Sequence, residues 1–235
     1  MLQRLLRLLS RQPAAQPDRP SPSPSPAIRN TPMQLLHLDS SILGAHSASR
    51  ALSAQIVARL QALHPGLAVT YRDLAAAPAL HLSPAHLAAF QGGAVESPAL
   101  GQDLAQGGSW LDDLFAAELI VIGAPMYNFT IPTQLKAWFD RVMVAGKTFR
   151  NTAECPVSLL PPGKRVFIAS ARGGVYAPGT PAAGMEHQES YLRGALAFIG
   201  LTDVTVVRAE GLATGDAARA AAMAQAGSEI AALAA

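Results

Sequence analysis

Apolar residues occur along this chain in short dense runs separated by stretches with helical spacing, and that alternation predicts strands and helices in turn. The densest run, Leu119-Ile120-Val121-Ile122-Gly123-Ala124, is apolar or small throughout, as in a strand covered on both faces. Pro125 stops it, having no N–H for the ladder. Further runs predict strands over 33–38, 67–72, 165–169 and 203–209. In the second of these Leu67, Val69 and Tyr71 alternate with Ala68, Thr70 and Arg72. Helical spacing over 49–63 sets Leu52, Ile56 and Leu60 on one face, and His64-Pro65-Gly66 ends that helix. Ser83-Pro84 starts another, closed by Gly92-Gly93; 96–108 reads as a loop with some helix and 109–117 as a short helix. Thr133 caps a helix over 133–145 whose inner face is Leu135, Trp138, Phe139 and Val142. Helices over 185–199 and 216–233 complete the pattern.

Five strands alternating with helices predict an α/β fold, a doubly wound five-stranded parallel sheet of order 2-1-3-4-5 with helices on both faces. Crossovers in such a sheet are right-handed. Strands one and three then flank the point where strand order reverses, the place where open parallel sheets bind ligands. The loops after strands one, three and four are the unusual ones, and all leave carboxyl ends.

With 235 residues, half of them hydrophobic, the chain is long enough for one substantial core. Residues 1–32 stand apart as a disordered leader rich in Pro, Ser and Arg. Their seven prolines and the repeat Pro20-Ser21-Pro22-Ser23-Pro24-Ser25-Pro26 join neither helix nor sheet. Met33, just before the first strand, is the alternative start, which leaves 33–235 as the folded domain. The net charge is +2, but the leader carries five arginines against Asp18, so its +4 leaves −2 for the domain. No basic stripe for nucleic acid is expected in a mildly acidic domain. No apolar run approaches the ~20 residues that span a bilayer. A single cysteine, Cys155, excludes an intrachain disulfide and points to the reducing cytoplasm.

The first loop lacks both G-x-G-x-x-G and the triphosphate-binding G-x-x-x-x-G-K-[ST], and has hydroxyls instead. Ser41, Ser47 and Ser49, with free amides at a helix start, suit a terminal phosphate; equally, Ser47 or Ser49 is an N-cap. After strand three come Met126, Tyr127, Asn128 and Phe129, held between Pro125 and Pro132, a set suited to a flat, partly polar aromatic ligand. After strand four, Ala171-Arg172-Gly173-Gly174 lets backbone approach a ligand or take positive φ. The histidines lack metal-ligand spacing, and Cys155 has no catalytic companion.

Taken together, Ser40-Ser41-Ile42-Leu43, Ser47-x-Ser49, Ala124-Pro125-Met126-Tyr127-Asn128-Phe129 followed by Gln134-Leu135-Lys136, Gly146-x-Thr148-Phe149-Arg150, Arg172-Gly173-Gly174 and Phe198-Ile199-Gly200 carry a resemblance. From Met33 onward the chain resembles the bacterial FMN-dependent NADH-azoreductases and NADH:quinone oxidoreductases of the flavodoxin-like superfamily. The resemblance implies that Ser41, Ser47, Ala48 and Ser49 hold the FMN phosphate. It sets Met126, Tyr127, Asn128 and Phe129 along the ribityl chain and ring, with Ala171, Arg172, Gly173 and Gly174 on the flavin's other side. Ala48 and Ala171 depart from the family, which commonly has a polar residue and a serine there. What it implies of activity is ping-pong two-electron reduction of a quinone or azo compound by NADH or NADPH, in a homodimer. The flavin carries that chemistry, so no catalytic side chain is expected. The other reading of an FMN site is a flavodoxin-like carrier of single electrons to protein partners, which a strongly acidic face would favour and −2 does not.

Overall fold

In the computed structural model, which describes residues 32–234, the elements run β1 (Gln34–Asp39), α1 (Ala48–Leu63), β2 (Ala68–Asp73), α2 (Pro84–Phe90), α3 (Pro98–Ala116) and β3 (Leu119–Pro125). They continue through α4 (Thr133–Val142), β4 (Phe149–Arg150), β5 (Val157–Ser158), β6 (Arg165–Ala171), α5 (Glu189–Phe198), β7 (Asp203–Ala209) and α6 (Asp216–Ala231). The leader expected over 1–32 lies, but for Pro32, outside the described residues.

The all-apolar run becomes β3, buried along its whole length at the centre of a parallel sheet of order β2-β1-β3-β6-β7. The expected numbering 2-1-3-4-5 does not stand. Two two-residue strands, β4 and β5, intervene in the chain and pair antiparallel in a ribbon of their own. Their brevity explains why no apolar run announces them.

Period-two alternation sends neighbouring strand residues into opposite layers. Leu36, Leu38, Ile120 and Ile122 face α3, α4 and α5, whereas Leu35, Leu119, Val121 and Phe167 face α1 and α6. At roughly 1.5–3 kcal/mol for each fully buried aliphatic or aromatic side chain, these two layers are the main source of stability. The expected inner faces hold: Leu52, Ile56 and Leu60 of α1, and Leu135, Trp138, Phe139 and Val142 of α4, are completely buried.

Several helix boundaries differ from expectation; α4 ends at Val142 and α6 at Ala231, short of the expected 145 and 233. Residues 96–108 are not mainly loop: α3 is one helix of 19 residues, capped by Ser97 with Pro98 in its first turn. Thr133 does not cap α4, since Pro132 holds the N-cap position and the Thr133 hydroxyl donates to Gln134 Oε1. Residues 185–188 lie outside α5, because the Glu186 carboxylate accepts from the amides of Gln188, Glu189 and Ser190 and starts the helix there.

The region between β2 and α3 is fixed by buried charge. Asp103 accepts from Arg141 Nε at 2.7 Å and from the Leu80 amide at 2.6 Å, and lies 3.1 Å from His86 Nε2. His86 Nδ1 accepts from the Ser83 amide, and its Nε2 lies 3.1 Å from both Asp103 Oδ2 and Arg141 Nη2.

Candidate functional site

The three unusual loops leave the carboxyl ends of β1, β3 and β6, adjacent strands in the sheet. After β1, Ser40 and Ser41 are fully buried. The Ser40 hydroxyl donates to Gly123 O at 2.8 Å, tying the exit of β1 to β3. Ser41 Oγ lies 3.2 Å from the Tyr127 hydroxyl, which also accepts from the Ile42 amide at 3.2 Å. One phenol thus joins the serine loop to the loop after β3.

That second loop is a two-residue reverse turn. Tyr127 N donates to Thr130 O at 2.9 Å and Thr130 N to Tyr127 O at 3.1 Å. Asn128 and Phe129 between them have φ of 47° and 72°, the only positive values outside glycine among the described residues. Two positive φ values define the type I′ turn, whose second central position ordinarily calls for glycine. A phenylalanine there stores of the order of 1–3 kcal/mol of strain, and the residue is 43 % exposed. Its edge meets Tyr176 with centroids 6.3 Å apart, which brings in the third loop.

Along the third loop, Ala171 O accepts from Met126 N at 2.8 Å and extends the β3–β6 ladder. The Arg172 side chain turns away from the crevice and is buried. It donates to Glu210 at 2.9 Å, to Glu186 and Glu189 at 3.2 Å each, and to Ser170 and Gln188 at 3.0 Å each. Beside it a cleft of about 600 Å³ is lined by these glutamates with Arg193 and Arg208, both of which pair with Glu189. Neither Gly173 nor Gly174 takes positive φ. Gly174 answers to close approach instead, because a Cβ there would sit 3.2 Å from the Tyr176 ring. The crevice-side amides of Asn128, Phe129, Gly173 and Gly174 donate no hydrogen bond among the described residues.

Ser47 is the N-cap of α1, its Oγ accepting from Arg50 N at 3.2 Å; it also lies 3.1 Å from Ser49 Oγ. Capping by Ser47 leaves the first-turn amides of Ala48 and Ser49 without a partner among the described residues, at the positive end of the helix dipole. The Arg50 guanidinium donates to both carboxylate oxygens of Asp73 at 2.7 and 2.8 Å and to Ser41 O at 2.8 Å, which ties the serine loop to the end of β2. Hydrogen bonding from Arg50 is the main cause holding the Asp73 carboxyl below its ordinary value, against burial. The nearby Tyr71 phenol is pushed up to about 12, first by burial and then by Asp39.

Gln188 escapes sequence reasoning. Fully buried, it joins the exits of β3 and β6, while His187 N donates to Phe129 O at 3.0 Å and Thr130 Oγ1 to His187 O at 3.3 Å. Only the polar run Glu186-His187-Gln188-Glu189, at the expected start of helical spacing, hints at it.

A family model described as Flavodoxin-like fold matches residues 33–234. The FMN-dependent NADH:quinone oxidoreductase of Xanthomonas campestris pv. campestris is 59 % identical over 86 % of this chain and 99 % of its own. The chain belongs to the FMN-dependent NADH:quinone oxidoreductase family. Another such oxidoreductase, from Methylorubrum extorquens, is 55 % identical over 80 % of this chain and 92 % of its own. The crystal structure of an azoreductase from Bacillus anthracis superposes with a TM-score of 0.73 at 26 % identity, covering 86 % of this chain and all of that one. These NADH:quinone oxidoreductase relatives are named as enzymes, which gives no support to the electron-carrier reading. Among the described residues no helix is long and apolar enough to cross a membrane.

Proposed function

We propose that the protein is an FMN-dependent oxidoreductase that takes electrons from NADH or NADPH and passes them in pairs to quinones or azo compounds. The observation that carries this reading is the Tyr127 phenol, which binds the serine loop to a strained aromatic turn at the β1/β3 switch point. The donor set supports FMN. Hydroxyls of Ser41, Ser47 and Ser49 and the first-turn amides of Ala48 and Ser49 suit a phosphate, with the adjacent guanidinium, Arg50, occupied by Asp73.

In this assignment Met126, Tyr127, Asn128 and Phe129 lie along the ribityl chain and one side of the ring. Ala171, Gly173 and Gly174 border the other side with backbone, and Arg172 supports them from behind without touching the ligand. The bound flavin supplies two-electron transfer between the nicotinamide and the acceptor. The chain's own residues do the rest. The Asn128 carboxamide and the unpaired amides of Gly173 and Gly174 offer neutral donors to charge developing on the ring, already oriented by the strand ends. The exposed Phe129 and the Tyr176 ring beside it leave an apolar mouth for a flat acceptor.

A homodimer is part of the proposal. Leu82, Leu87, Phe90, Met143, Val144 and Tyr191 line an open groove of about 520 Å³, an apolar face suited to a second copy. A monomeric mass by light scattering would count against it. The cytoplasm, which supplies NADH and suits the exposed free thiol of Cys155, is the compartment proposed.

The decisive experiment is reconstitution of purified protein with FMN, followed by NADH oxidation with and without benzoquinone. Bound-flavin absorption and benzoquinone-dependent NADH oxidation are the expected result. A colourless protein that takes up no FMN, or a flavoprotein inert to both NADH and NADPH, would overturn the reading.

A further inference from the structure

We propose that Gln188 is the positioning residue of the crevice, a buried amide that holds the exits of β3 and β6 together and thereby sets the geometry in which FMN is bound. The inference rests on the FMN reading above.

The orientation of its amide is dictated by its partners. Arg172 Nε donates only, so the atom 3.0 Å from it is Oε1, which also accepts from the Ser170 hydroxyl at 2.7 Å. Ala124 O accepts only, so the atom 2.8 Å from it is Nε2. Ala124 and Ser170 face each other in the β3–β6 register, one pair before the chain opens into the two ligand loops.

The backbone just before Gln188 grips the turn after β3. His187 N and O bond Phe129 O and Thr130 Oγ1, the far limb of the strained turn. Glu186 pairs with Arg172 and caps α5, which anchors the segment to a helix packed on the core through Leu192, Ala195 and Leu196. Displacement of one amide would therefore move the 126–130 turn and the 171–174 loop relative to each other. Only a side chain with both a donor and an acceptor at this length satisfies all three partners. Glutamate when ionised sets a second acceptor against Ala124 O, and methionine keeps the volume but makes none of the bonds.

The test compares Gln188→Met and Gln188→Glu with Asp103→Asn, a change in an equally buried polar network with no part in the crevice. FMN affinity is measured by quenching of flavin fluorescence, the setting of the bound ring by visible circular dichroism, and stability by apoprotein melting. Both Gln188 variants are expected to bind FMN at least about tenfold more weakly and to alter the visible dichroism. Asp103→Asn is expected to lower the melting temperature with affinity and dichroism unchanged. Should Gln188→Met fail to fold, the Gln188→Glu result decides alone. Wild-type affinity and dichroism in the folded Gln188 variants would overturn the positioning role, as would equal weakening in Asp103→Asn. Failure of the wild-type protein itself to bind FMN would instead remove the FMN reading on which this inference stands.

Discussion

At the scale of single residues, Asn128 and Phe129 separate a ligand role from a structural one. Both sit at positive φ, where glycine is comfortable and a phenylalanine is strained. Phe129→Gly relieves that strain and adds unfolded-state entropy, two opposing effects of about 1 kcal/mol each, so apoprotein stability is expected to change by less than about 1 kcal/mol. FMN affinity is expected to fall, because the ring no longer lies against the ligand. If the ring were instead a packing element, urea unfolding would show a loss of about 2 kcal/mol or more with cofactor affinity intact. Asn128→Ala mixes two effects, since alanine at φ 47° adds strain while the amide is lost. Asn128→Gly isolates the amide, and weaker FMN binding or slower flavin reduction in it with an unshifted melting curve is the expected outcome. The sequence makes these residues stand out, because a thioether, a phenol, a carboxamide and a phenyl ring between two prolines are unusual at a strand end. It does not reveal that Arg172 faces three glutamates, Glu186, Glu189 and Glu210, the last of them beyond the end of β7.

Among the elements, strands and amphipathic helices are legible wherever one face is uniformly apolar, as in β3 and α4. What escapes depends on partners distant in sequence. α3 is hard to read across 98–108 because Gly101, Gly107 and Gly108 weaken its helical signal. The fold explains one of them: a Cβ on Gly107 would lie 3.1 Å from Arg141 Cδ, so that glycine makes room for the buried arginine that pairs with Asp103. Gly108, next to it, borders open space, with nothing within 4 Å of where a Cβ would stand. The two should therefore respond oppositely to the same substitution. Gly108→Ala is expected to stabilise the protein by up to about 1 kcal/mol through helix propensity alone. In Gly107→Ala that gain is offset by displacement of Arg141, with a net loss expected. Urea unfolding of the two variants checks this, and equal stabilisation in both would show that α3 and α4 have room to spare. The start of α5 differs from its expected place for a similar reason, since the Glu186 carboxylate that caps it also answers to Arg172.

Across the whole molecule, buried and half-buried carboxylates make stability depend on acid. Burial raises the Glu189 carboxyl, but hydrogen bonds from Arg208 and Arg193 outweigh it and hold the group at about 2, against 4.5 in an open chain. Asp103 is likewise held low: burial opposes the Leu80 amide and Arg141, and the latter two prevail. A carboxyl depressed in the fold leaves the unfolded chain binding more protons as pH falls, so its stabilisation is whole above about pH 4.5 and drains away toward pH 2. For Glu189 the shift alone would correspond to roughly 3 kcal/mol. Arg193 and Arg208 are each 45 % exposed, however, and solvent screening reduces the expected contribution to about 1–2 kcal/mol. Glu189→Gln should therefore be less stable than the wild type by that amount near neutrality. The gap should close between about pH 4.5 and pH 2, where the wild-type carboxyl takes up its proton and the two side chains become alike in charge. Chemical denaturation at a series of pH values measures both curves. Were the gap to stay constant down to about pH 2, the loss would lie in altered packing of the substituted side chain, and the acid sensitivity of the domain would have to come from Asp73 and Asp103, whose carboxyls are also held below their ordinary range.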